Sequence, residues 1–392
     1  MKASRVSLVL LIALAMVTVA RSGHELPVYP SYYPHEIQIE TMPRERSAAL
    51  LLDGRIQAYV GAAPHFTSSL PDHIRAIESI GSFIVVRVNP SPPLMKDERS
   101  ACAVADVVVR AIAAKRDETI ADLIVHPYPV TPLHGDYLHH VDLAEAANSR
   151  LLDNSVVSAA PSIGELKVKA DGLANILKRP EWSVQGPQWD VEIAEVGIAD
   201  LLRPSAAPLN GWLGPPWHRT GWFHAHLLLA NTTGSSPAPH GTEADLHRLQ
   251  ADSFESTVQR INLERDFVAA LLAGCHTVVA GYRMKREYIN VEFSAGIENI
   301  AFDALGGLNS PMFIRTVKLK DFPWNGWLSL GIDGRASAAW NPIAGFTDQF
   351  GRLMWSAVGD PAVIPSPYDT DWMLNRISDV QSTPGPSRPL RP

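Results

Sequence analysis

The 392-residue chain carries 34 Lys and Arg against 41 Asp and Glu, a net charge of −7, so nucleic acid and anionic membrane surfaces are poor partners. With 46% hydrophobic and 19% charged residues the composition is globular, and 31 prolines favour turns and extended loops over a helical bundle. The two cysteines, Cys102 and Cys275, show no zinc-type spacing and are compatible with one disulfide or with two separate buried thiols.

In chain order, Lys2 and Arg5 precede an apolar run, Val6–Ala20, that ends in small residues at Ala20 and Ser22. This is the anatomy of a secretory signal peptide over residues 1–22, with an uncleaved N-terminal anchor as the alternative. The apolar core is shorter than the roughly 20 residues that span a bilayer. The remainder is expected to be periplasmic or secreted, with no transmembrane segment after signal cleavage. A proline- and tyrosine-rich lead-in (27–34) comes next. Alternation then predicts a strand at Glu36–Glu40, followed by a helix at Arg44–Leu52 closed by Asp53-Gly54. A strand at Ile56–Gly61 and a continuously apolar, buried strand at Ser82–Val88 follow.

Ala101–Ala114 is apolar at helical spacing, Leu123–His126 reads as a short strand, and Asp142–Leu152 reads as a helix after the proline loop His126–His134. Trp222–Ala230 reads as a strand. Thr242–Ala273 reads as one long helix, with a Thr242/Asp245 capping box, an apolar stripe and Gly274 as its stop. Tyr288–Phe293, Phe313–Lys320, Trp327–Ile332 and Leu353–Val358 read as strands, and 381–392 as a disordered tail. A chain of this length exceeds one core. The expected fold is therefore α/β and two-lobed, with mixed sheets and flanking helices. Residues 23–165 form the first lobe, and 166–380, carrying the long helix 242–273, form the second.

The run Glu36–Val88 contains a strand (EIQIE), a helix, and then Leu50-Leu51-Leu52-Asp53-Gly54-Arg55-Ile56-Gln57-Ala58-Tyr59-Val60-Gly61. Later comes SFIVVRVNP. This run resembles the first lobe of type II periplasmic solute-binding proteins. That family often shows leucine, x, glycine, x, isoleucine, aspartate, alanine at this point, and Gln57 stands where its aspartate is common. The resemblance implies a periplasmic-binding-protein-like first lobe. It also implies that Gly61, Ala62, Ala63, Pro64 and His65 line one wall of a ligand cleft, with main-chain N–H groups available to an anion.

Fourteen histidines are unevenly spread. His134, Asp136, His139, His140 and Asp142 bring together imidazole and carboxylate, the ligands of a divalent metal such as zinc or copper. Asp136 and His140 share a face if the segment is helical, and Tyr137 is placed to hydrogen-bond a ligand. The same residues also read as a helix N-terminus capped near Asp136 and flanked by surface histidines. His224 and His226, with His218 just before them, would face one side of a strand as in metal-dependent hydrolases; satisfied core histidines are the alternative. Cleavage after Ser22 would add His24 beside a free amine, a copper-binding arrangement.

Glu287, Glu292 and Glu298 lie in a polar, aromatic-rich stretch that suits either a glycosidase carboxylate pair or an exposed strand face. Asn231-Thr232-Thr233 is a glycosylation sequon, and Trp324, Trp327, Trp340, Trp355 and Trp372 suit packing more than a sugar platform. The sequence contains no GxSxG, P-loop, GxGxxG or HExxH motif.

Three functions fit. The first is a binding protein that captures a small polar or anionic solute, or a metal ion, in an inter-lobe cleft. The second is a metal-dependent hydrolase using His224 and His226, with ligands from 134–142 and a metal-bound water. The third is an accessory partner of a periplasmic enzyme complex or membrane, using the aromatic C-terminal third.

Overall fold

A computed structural model describes residues 34–89, 98–114, 122–152, 162–170, 172–177, 179–184, 186, 188–206, 215–230, 241–292, 295–321, 326–337, 348–359, 361–367, 371–375 and 377–379. The expected signal peptide with His24, nearly all of the proline-tyrosine lead-in, the sequon at Asn231, Trp324, Trp340 and the tail 381–392 lie outside those residues.

Alternating side chains at Glu36–Thr41 produce β1, with Ile37 and Ile39 turned inward. α1 (Arg44–Leu52) and the fully buried β2 (Ala58–Val60) follow as expected. β3 (Ile74–Val88) begins well before the expected Ser82, with Ile74, Ile77 and Ile80 each buried in a different part of the core. Then come α2 (Glu98–Ala113), β4 (Leu123–Val125), α3 (Val141–Leu152), β5 (Val168–Lys169), α4 (Leu173–Ile176), β6 (Val191–Gly197) and α5 (Ile198–Ala206). The second part of the chain holds α6 (Gly221–Leu229), α7 (Thr242–Gln250), α8 (Thr257–Leu272), β7 (Thr277–Asn290), β8 (Ile297–Asn299), α9 (Pro311–Thr316) and β9 (Lys318–Leu319). β10 (Trp327–Ile332), α10 (Gln349–Val358), β11 (Val363–Pro365) and β12 (Trp372–Leu374) complete it.

The architecture is α/β, a mixed sheet with flanking helices. Its strand order is β1-β10-β2-β7-β3-β6-β5, and β4 pairs with β7 off this path. β1–β10, β10–β2 and β5–β6 are parallel, whereas β2, β3 and β4 all run antiparallel to β7. β3 and β7 run the length of the sheet, and a bulge between Ile80 and Ser82 divides it into two halves. In one half, β1, β10 and β2 carry α1 on one face and α9 and α10 on the other, around Met42, Leu51 and Tyr59 and around Leu328, Phe313 and Leu353. In the other half, α2 and α4 cover one face around Val86, Val108 and Trp182, while α6 and α8 cover the opposite face around Phe83, Trp222 and Phe267. β6 pairs along its length with β3, and β5 pairs with β6, in the same sheet.

Several expected elements differ. Trp222–Ala230 is helix α6, not a strand. WFHAHLLLA is apolar on every face and buried almost all round, so it carries no period to tell the two apart. The expected helix 242–273 is two helices broken at 251–256, where Asp252 takes φ +52. Gly241, not Thr242, caps the first, and Ser256 Oγ caps the second by accepting the Gln259 N–H at 3.2 Å. Phe313–Lys320 is the end of α9 followed by β9, and Leu353–Val358 belongs to α10, capped by Asp348. Cys102 of α2 and Cys275, just past α8, form a disulfide with Cα atoms 4.9 Å apart. Among the described residues no helix is long and apolar enough to cross a membrane.

Candidate functional site

The resemblance points first to the end of β2. Gly61 turns there with φ +101, and a Cβ at that position would lie 2.8 Å from the Phe350 ring, so glycine is required twice over. Its N–H is not available to an external anion. It donates to Oε1 of Glu287, a fully buried carboxylate on β7, at 2.6 Å. The other oxygen accepts the Leu308 N–H at 2.7 Å, and Lys285 Nζ lies 3.4 Å from Oε1. Gly307, at φ +66, brings its loop so close that a Cβ would collide with the carboxylate. Ala62 is buried in the core beside Met42 and Tyr59, while His65 is exposed. Glu287, read from sequence as a candidate glycosidase acid, therefore closes this end of the sheet as an internal counter-anion.

The second candidate region is the loop between β4 and α3 together with α6 and α8. His126 Nε2 lies 2.9 Å from the Val130 carbonyl and closes the start of the loop. His134 Nδ1 accepts the Thr131 N–H at 2.9 Å, and its Nε2 lies 2.9 Å from Nδ1 of His224. His224 Nε2 lies 3.1 Å from the His218 carbonyl oxygen. A carbonyl only accepts, so His224 carries its proton on Nε2 and accepts on Nδ1. His134 then carries its own proton on Nε2. Both rings are neutral and every ring nitrogen is used. Burial, reinforced by the facing ring, holds His134 well below its ordinary pKa, and burial takes His224 down to about 3. These two histidines meet, as the metal reading required, but they bond to each other and leave no lone pair for an ion.

His226 does not join them. Its expected place beside His224 assumed a strand, whereas on α6 two residues differ by about 200° around the axis. Its ring instead packs near Phe223 and Phe267, with centroids 6.2 and 5.9 Å away. Tyr137 packs beside His126, ring centroids 6.1 Å apart. Asp142 faces outward in a bidentate pair with Arg265, both contacts 2.7 Å.

Asp136 and His140 turn inward. Asp136 precedes the short 3-10 turn Tyr137–His139 without capping it. Its carboxylate instead reaches the start of α6, where Oδ1 accepts the Gly221 N–H at 2.8 Å and Oδ2 the Trp222 N–H at 3.1 Å. His140 Nδ1 lies 2.8 Å from the Tyr128 hydroxyl, and among the described residues its buried Nε2 has no hydrogen-bond partner. Burial lowers the His140 pKa to about 4.

Glu264 enters from α8. Burial, then the nearby Asp136 charge, pushes its carboxyl up to about 8. Its Oε2 is 3.3 Å from His139 Nδ1 and its Oε1 is 3.7 Å from Arg260 Nε. One ligand atom each from Asp136, His140 and Glu264 lie within 4.8 Å of one another. Glu264 was not singled out from sequence. The available signal was an acidic residue set within the buried stripe of Leu263, Phe267, Val268 and Leu271.

A cavity of about 330 Å³ opens elsewhere, beside β6. It is lined by Gly172, Leu173, Glu192, Ile193, Ala194 and Glu195. Glu192 is paired with Arg87 and Lys169, both at 3.0 Å, and Glu195 with Arg283 at 3.0 Å.

No family model and no curated sequence matches the chain. Solved structures do match, and they are solute-binding proteins. The oligopeptide-binding protein AppA from Bacillus subtilis, in complex with a nonapeptide, is 12% identical with a TM-score of 0.38, over 71% of this chain and 59% of that one. The PBP AgaA from A. tumefaciens R10, in complex with agropinic acid, is 11% identical with a TM-score of 0.36, over 68% and 56%. NikZ from Campylobacter jejuni, in complex with Ni(L-His), is 15% identical with a TM-score of 0.34, over 65% and 55%. The chain spans little more than half the length of these proteins.

Proposed function

We propose that this protein binds a small polar solute outside the cytoplasm, as a solute-binding protein, and that the solute sits at the edge of β6. The observation that carries this reading is the cavity lined by Gly172, Leu173 and Glu192–Glu195. Among the described residues, β6 pairs with β5 only at Val191 and Glu192, whereas its other edge is bonded to β3 along its whole length. Main-chain groups within residues 193–195 are therefore placed to hydrogen-bond a ligand, and with Glu192 and Glu195 already paired to Arg87, Lys169 and Arg283 the lining suits a neutral polar solute. The strand–helix–strand unit β1–α1–β2, in the order found in the type II family's first lobe, supports the binding role. The hydrolase alternative loses its two core residues, because His224 is consumed by His134 and the His218 carbonyl, and His226 faces aromatic rings.

The test is a thermal-shift and calorimetric panel of amino acids, short peptides, sugars and small amines. A ligand at a hundredfold excess over its Kd stabilises by about 2.7 kcal/mol, which is several degrees of Tm. Ala194→Trp, which sets a bulky ring in the cavity lining where Ala194 also borders the Trp222–Phe267 core, is expected to abolish the shift, with the unliganded Tm read alongside. No shift from any solute, or binding unchanged in Ala194→Trp, would overturn the assignment.

A further inference from the structure

We propose that Asp136, His140 and Glu264 form a buried site for one divalent cation of the zinc or manganese class, which staples the β4–α3 loop to α6 and α8. The site is built from residues other than those of the solute cavity and goes beyond the solute-binding reading.

The three side chains come from separate stretches of chain, and each brings one ligand atom within 4.8 Å of the other two. Metal–ligand bonds of about 2.0–2.2 Å put neighbouring ligand atoms roughly 3–3.5 Å apart, so small side-chain movements close the set around an ion. All three residues are almost wholly buried: Asp136 is 1%, His140 0% and Glu264 4% exposed. Two carboxyl groups placed this close in a dry interior are not both charged without a positive partner, which is either a bound cation or a proton on one of them. From within the chain, His139 Nδ1 lies 3.3 Å from one oxygen of Glu264 and Arg260 Nε 3.7 Å from the other, both longer than a strong charge-assisted bond.

The second, independent observation is His140 itself. Its Nε2 is buried and has no partner among the described residues, a cost of about 1–3 kcal/mol that a bound ion would remove. Tyr128 lies 2.8 Å from the opposite nitrogen. With the Tyr128 oxygen accepting from Nδ1–H, the ring presents the Nε2 lone pair, the usual outer-shell arrangement for a metal-bound imidazole.

Asp136 keeps its two N–H contacts at the head of α6 while ligating, because each carboxylate oxygen has a second lone pair. Two oxygen ligands with one imidazole suit zinc, manganese or iron(II) and disfavour copper(I), which selects sulfur. The arrangement thus keeps two of the residues the sequence suggested for a metal and replaces the histidine pair with a glutamate.

The full chain is treated with chelator, dialysed and titrated with zinc chloride or manganese chloride. Calorimetry, elemental analysis and melting curves are the readouts. One ion per chain and a raised Tm are expected. Glu264→Gln, nearly isosteric, is expected to weaken binding at least about tenfold and to remove the metal-dependent part of Tm. Asp136 is left intact because its removal would also uncap α6. His140→Gln gives a second variant should Glu264→Gln not fold. Cobalt(II) loading supplies a readout that does not depend on stability: visible d–d bands in the wild type that disappear in either variant. Absence of stoichiometric ion from the wild type, or equal binding in both variants through surface histidines, overturns the site. Neither outcome bears on solute binding, which Ala194→Trp tests separately.

Discussion

The two halves of the sheet bury charge in opposite ways. At the end of β2, the carboxylate of Glu287 is fully matched from within, by the N–H groups of Gly61 and Leu308 and by Lys285. Around α6 and α8, the Thr131–His134–His224–His218 chain is matched just as completely, but beside it the Asp136–His140–Glu264 group leaves the His140 Nε2 without a partner among the described residues. A buried polar group whose every bond is returned by its own chain is architecture. One that is left short beside further ligand atoms, as His140 is, is where something from outside fits.

The largest expected effect separates the halves directly. Cys102–Cys275 lies in the half that carries α6 and α8, and closes a loop of 173 residues. On the chain-entropy account its reduction removes about 5 kcal/mol. Hydrogen exchange should show α2 and the Thr277 end of β7 losing protection before β1 and β10; simultaneous loss would break the picture of two cores.

Glu287→Gln keeps one acceptor oxygen but turns an amide NH2 toward one of the two backbone N–H groups and takes the carboxylate from Lys285, an expected loss of about 3–5 kcal/mol in urea unfolding. A loss below about 1 kcal/mol would mean that this end of the sheet is solvated after all.

His224→Leu orphans the His134 Nε2–H and the His218 carbonyl together, for about 2–4 kcal/mol, without reducing metal content. The same network sets a pH dependence. His224 titrates near 3 when folded and near 6.5 when unfolded, so the unfolded state holds more protons between those values. The contribution of His224 is complete above about pH 6.5 and is lost as pH falls toward 3; His218, lowered to about 4, acts in the same direction. A wild-type Tm flat from pH 7 to 4 would contradict this, and His224→Leu should flatten part of the slope.

The smallest effect is expected at Gly61→Ala, about 1–3 kcal/mol from the positive φ and the Phe350 contact, with solute binding unchanged if the seat is at β6. Loss of binding in that variant would return the ligand to the end of β2.

Local pattern alone was enough to determine β1, α1, β2, the Ser82–Val88 part of β3, α2, β4, α3 and β10, because each is either a periodic segment, as in β1 and α2, or a short apolar run bounded by turn residues, as in β2 and Ser82–Val88. It was also enough to mark Asp136 and His140 as a carboxylate and an imidazole close together. Tertiary structure decided the rest. α6 is apolar on all sides, so only its packing, Trp222 against Phe267 of α8, shows that it is a helix, and that change of period is what turns His226 away from His224. Glu264 joins Asp136, and Cys275 joins Cys102, across 128 and 173 residues of chain. Contacts at such separations arise from how β3 and β7 bring the helices together, and no local period encodes them.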